Sequence, residues 1–81
     1  MQQAARLIVT FTTLHQVLAA ERALRQAKPI VFKIRPTPTP PGLSTSICGM
    51  SIEILEEDQK QLIMDFLSAN SLQPSGLFQV D

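Results

Sequence analysis

Among its 81 residues the chain carries one thiol, Cys48, and one imidazole, His15. As a thiolate, a cysteine is a nucleophile, and a histidine can serve beside it as base or charge partner. Cys48 follows the polar stretch Ser44-Thr45-Ser46 and precedes Gly49, whose missing side chain permits close approach of backbone or ligand. A helix N-terminus near the thiol would favour its charged form. Against this, Cys48 shares strand parity with Met50, Ile52 and Ile54, and free cysteines are commonly buried as small hydrophobes. Spacing alone favours the structural reading. A Cys-His nucleophilic enzyme also needs a third group to orient the base, and none is evident. The residues alone therefore make no complete catalytic set, and the chain does not read as an enzyme in its own right.

Other chemistries find little to stand on. One cysteine forbids an intramolecular disulfide, and an iron–sulfur cluster needs about four such ligands. With His15 as the only other soft ligand, structural zinc fails the same arithmetic, so neither metal nor cofactor is expected. Gly42, Gly49 and Gly76 are too far apart to form a phosphate-cradling loop. Zero net charge and the absence of Trp and Tyr argue against nucleic acid. The charge is nonetheless divided: Arg6, Arg22, Arg25, Lys28, Lys33 and Arg35 face Glu21 alone in the first half, while Glu53, Glu56, Glu57, Asp58, Asp65 and Asp81 face Lys60 in the second. Such a division suits surfaces that complement each other within the fold, or head-to-tail docking onto a partner. The apolar runs Leu7-Ile8-Val9 and Leu62-Ile63-Met64 fall far short of the roughly 20 residues that span a bilayer. The stretch Met1 to Arg6 lacks the pattern of a secretory signal, so a cytoplasmic location is expected.

The elements that must position Cys48 follow from periodicity. Leu7 to Thr12 (LIVTFT) alternates as a strand, with Leu7, Val9 and Phe11 on one face. Leu14, Val17, Leu18, Ala20, Leu24 and Ala27 recur at helical spacing, after a capping Thr12-Thr13 and before Pro29. Ile30, Phe32 and Ile34 alternate with Val31, Lys33 and Arg35 as a second strand. The run Pro36 to Gly42 lacks too many backbone donors for a sheet interior, which predicts a stiff loop over residues 36–47. A third strand resumes at Cys48. Glu56-Glu57-Asp58 suits the positive end of a helix whose stripe is Gln59, Leu62, Ile63, Phe66 and Leu67, stopping near Asn70. After the turn Pro74-Ser75-Gly76, Leu77 to Val80 closes the domain as a fourth strand.

This βαββαβ order predicts a single α+β domain over residues 1–81 with the ferredoxin-like arrangement: a four-stranded antiparallel sheet and both helices on one face. In that topology Cys48 lies at the same end as the junction between first strand and first helix, near Thr12, Thr13 and His15. A chain this short builds a small core, which makes a homodimer an expected partner.

The segments LIVTFTTLHQVLAAERAL, PIVFKIRPTP, STSICGMSIEI and the closing GLFQV resemble the selenium/sulfur carrier-like proteins, a small bacterial family. The likeness covers nearly the whole chain. Its most specific part is a Ser/Thr-rich segment ending in Cys-Gly at the head of a strand, which corresponds to Ser44, Thr45, Ser46, Cys48 and Gly49. Where the family often has an Arg between the proline and the hydroxyl run, this chain has Pro41-Gly42-Leu43, and Ile47 precedes the cysteine. The resemblance implies a thiol, Cys48, that accepts sulfur or selenium as a persulfide-type adduct and passes it from a donor to an acceptor protein without a cofactor. Backbone N–H groups, Thr13 and His15 would support its charge. The alternative is a small protein-binding or regulatory module in which the cysteine is structural.

Overall fold

The computed structural model describes residues 6–43 and 48–80. Four strands, β1 (Arg6–Thr10), β2 (Ile34–Pro38), β3 (Met50–Ile54) and β4 (Gly76–Val80), form one sheet in the order β2-β3-β1-β4. Every pairing is antiparallel. The helices α1 (Leu14–Gln26) and α2 (Lys60–Ala69) connect the strands, α2 being entered through a short 3₁₀ turn, Glu57–Gln59. This is the ferredoxin-like order expected from the sequence.

Alternation explains which face the helices cover. Leu7, Val9 and Phe11 from the first strand and its extension, Ile34 from β2, and Ile52 and Ile54 from β3 join Val17, Ala20 and Leu24 of α1 and Ile63 and Leu67 of α2 in one core. Phe32 packs there too, its ring 5.5 Å from that of Phe66. The opposite face carries Arg6, Ile8 and Thr10 beside Glu53 and Ser51, with Arg35 and Thr37 beyond them. Here the divided charge meets: Glu53, only 6% exposed, accepts hydrogen bonds from Arg6 at 3.2 and 3.3 Å and from Arg35 at 3.1 Å. Burial alone would raise the pKa of that carboxyl, but the hydrogen bonds and charges of Arg6 and Arg35 prevail and hold it below the ordinary carboxylate value.

Two helical stripes are narrower than periodicity implies. Leu14 and Leu18 of α1 and Leu62 of α2 are about half exposed, leaving Val17, Ala20, Leu24, Ile63 and Leu67 as the residues that reach the sheet. The acidic run sits as expected, with Glu57 and Asp58 in the 3₁₀ turn that leads into α2, and Asn70 ends that helix.

The second strand and the loop after it differ most from expectation. Parity holds for Phe32 and Ile34, which are buried while Val31, Lys33 and Arg35 are exposed, but Ile30 is exposed, and the strand begins only at Ile34 and takes in Pro36, Thr37 and Pro38. The ladder explains how. The bonds from Leu55 N–H to the Lys33 carbonyl and from Thr39 N–H to the Gly49 carbonyl fix the odd-numbered residues of β2 as those whose backbone groups face β3. Pro36 and Pro38 thus turn their donorless nitrogens to the outside of an edge strand, where proline is tolerated. Prolines at every second position pass as a strand for the same reason that prolines in a row would not.

Candidate functional site around Cys48

Cys48 closes the end of the sheet where β1 hands over to α1. Its N–H donates to the carbonyl of Phe11 at 3.2 Å, which brings the residue beside the β1–α1 junction as the topology predicts. Continuing the β1–β3 register, in which Val9 faces Ile52, would set Met50 opposite Phe11. Cys48 instead takes the Phe11 carbonyl, and the Met50 N–H donates to Cys48 Sγ at 3.3 Å. The sulfur thus replaces a carbonyl as the last acceptor of the ladder. It is half-buried and packs against the core.

Thr39, a residue of the expected loop, fixes the other side of the cysteine. Its Oγ1 donates to the Cys48 carbonyl at 2.9 Å and is bonded to the hydroxyl of Ser51. The only hint in the sequence was the Thr-Pro alternation, because Thr39 has strand parity with Thr37 and so faces β3. Gly49 is exposed, and a Cβ built on it would meet nothing within 4 Å. Among the described residues, the space that a side chain at 49 would take is therefore open, and no close backbone approach demands the glycine.

The supporting residues divide. Thr13 caps α1: its hydroxyl accepts from the Gln16 N–H at 3.1 Å while the Gln16 side chain returns to the Thr13 N–H at 3.2 Å, a capping box. That hydroxyl serves the helix. His15, exposed, lines a groove of about 390 Å³ along α1 with Leu18, Ala19 and Arg22, and a second one with Ser71, Leu72 and Gln73. No hydrogen bond among the described residues joins His15 or Thr13 to Cys48. Ser44, Thr45 and Ser46 lie outside the described residues. Among the described residues, no group of three or more His, Cys, Asp or Glu side chains could hold a metal ion, and no helix is long and apolar enough to cross a membrane.

The arrangement offers one half-buried sulfur that accepts a backbone N–H, next to an exposed glycine. The family model described as "Putative Se/S carrier protein-like" matches residues 6–79, in agreement with the resemblance drawn from the sequence. No curated protein and no solved structure gives a significant match.

Proposed function

Since the chain belongs to the Putative Se/S carrier protein-like family, we propose that Cys48 is the carrying atom and that the protein relays sulfur, or selenium by the same chemistry, between a donor and an acceptor protein. The Cys48 thiolate attacks the outer sulfur of a donor persulfide. The donor's S–S bond breaks, a new S–S bond forms on Cys48, and the electron pair leaves on the donor's cysteine as thiolate. Delivery is the same exchange in reverse, with an acceptor nucleophile taking the terminal sulfur and Cys48 departing as thiolate. No oxidant or cofactor is consumed. The observation that supports this reading is the position of the chain's one thiol at the end of the sheet, beside the exposed Gly49, with the Met50 N–H aimed at its sulfur. Loading by a cysteine desulfurase, followed by mass spectrometry, tests it. The wild type gains one sulfur, and Cys48→Ser gains none while keeping its fold; equal labelling of the two proteins refutes the proposal.

A second reading has its own support. The sulfur of Cys48 packs against the core and completes the β-ladder. On that reading the chain is a small protein-binding module and the cysteine is structural. Native Cys48 then resists alkylation under conditions that label the unfolded chain rapidly, and the wild type takes up no sulfur.

A further inference from the structure

The two edges of the sheet are treated in opposite ways. On β2, Pro36 and Pro38 point outward and remove the donors that a further strand would need. On β4, Gly76–Val80, there is neither a proline nor a charged side chain. Parity carries across the sheet: the even-numbered residues of β1 and β4 face each other, in the pairs Ile8 with Phe78 and Thr10 with Gly76, so the N–H and C=O groups of Leu77 and Gln79 face outward. Among the described residues nothing bonds to them.

We propose that β4 is a self-pairing edge, and that two copies of the chain join through antiparallel β4 strands into one eight-stranded sheet. A second copy fits because the strand is self-complementary about Phe78. With Phe78 opposite its counterpart, Leu77 and Gln79 of each copy exchange backbone hydrogen bonds with Gln79 and Leu77 of the other. The two Phe78 rings meet in a non-hydrogen-bonded pair, where cross-strand side chains lie closest. Shifting the axis to Leu77 would call on Ser75, whose N–H is already bonded to the Thr10 carbonyl at 2.8 Å. The strand's lack of charge spares the pair like-charge repulsion. Closure is built in as well: the joint sheet ends on both sides in a β2 strand blocked by Pro36 and Pro38, so assembly stops at a two-fold dimer instead of growing into a fibre. The antiparallel axis sends the two Cys48 ends in opposite directions, so that neither thiol lies on the joint between the copies. The dimer is thus independent of the carrier reading.

Sedimentation equilibrium from micromolar to millimolar protein, in reducing buffer so that no Cys48 disulfide contributes, tests the proposal. The expected mass rises from 9.0 kDa toward twice that value. A strand pair of five residues buries less than the roughly 1,200 Å² of a standard interface, so the transition falls at high micromolar concentration or above. Amide hydrogen exchange at Leu77 and Gln79 slows over the same range. Gln79→Pro copies onto β4 the device that β2 already uses, and because its amide faces outward it costs no bond to β1; this variant stays monomeric with an unchanged circular dichroism spectrum. Gln79→Lys does the same through charge, so that a folding defect in the proline variant leaves the test intact. A wild type monomeric at millimolar concentration overturns the proposal, as does a dimer that Gln79→Lys leaves undiminished or one without slowed exchange at Leu77 and Gln79.

Discussion

The Met50 amide donates to the Cys48 sulfur at 3.3 Å, so the atom best suited to chemistry is also the last hydrogen-bond acceptor of the β1–β3 ladder. Replacement chemistry separates the two roles. Cys48→Ser keeps an acceptor in place and holds stability within about 1 kcal/mol of wild type, whereas Cys48→Ala strands a partly buried N–H and costs about 1–2 kcal/mol. Urea denaturation of the three proteins measures the difference, and equal midpoints for the Ser and Ala variants would deny the sulfur its structural part.

Gly49 offers a way to examine access without touching the thiol. A methyl group there meets nothing within 4 Å and the backbone is not in the left-handed region, so Gly49→Ala keeps the fold and raises the thermal midpoint slightly by restricting the unfolded chain. If a donor protein approaches Cys48 through that open space, the same substitution slows desulfurase-dependent loading several-fold. Unaltered loading kinetics would mean that the donor arrives from another side.

Element order was legible because each segment states its period plainly: Leu7, Val9 and Phe11 alternate, and Val17, Ala20 and Leu24 fall on one helical face. Illegible was whatever depended on neighbours distant in sequence. Pro36 and Pro38 read as strand breakers until the Lys33–Leu55 and Thr39–Gly49 bonds show which way their nitrogens turn. Leu14, Leu18 and Leu62 are apolar at helical spacing yet half exposed, because a small sheet meets only the centre of each helix stripe. The same limit applied at the site. Topology brought Cys48 to Phe11, but a hydroxyl such as that of Thr13 can serve a helix cap or a thiol, and in the fold Gln16 holds it.

That cap gives the third prediction. Thr13→Ala removes the acceptor for the Gln16 N–H at the start of α1, and the expected loss is about 1 kcal/mol. Because the Thr13 hydroxyl is spent on the helix, sulfur loading of Cys48 at a temperature well below the melt should match wild type. A loading defect without a stability defect would place Thr13 at the thiol instead.

Glu53 is where acid should act first on the sheet. Its carboxyl is buried, which by itself would favour the protonated form, yet Arg6 and Arg35 converge on it and lower its pKa. A group whose folded pKa lies below its unfolded value contributes stability that is fully present above the unfolded pKa, about 4.3 for Glu, and is lost as pH falls through the folded value. The melting temperature should therefore hold steady near neutrality and decline from about pH 5 downward, the onset set by the unfolded carboxylate. Glu53→Gln keeps the shape but not the charge, leaving Arg6 and Arg35 close together without their counterion. Because both guanidinium groups reach solvent, the cost at neutral pH stays near about 1–2 kcal/mol rather than that of a fully buried pair. The decisive comparison is the slope: thermal melts of both proteins across the acid range should converge as pH falls, since protonation removes from the wild type the same charge the substitution removes. Parallel curves, with a constant gap down to the lowest pH, would show that Glu53 contributes by packing and not through its pairing with Arg6 and Arg35.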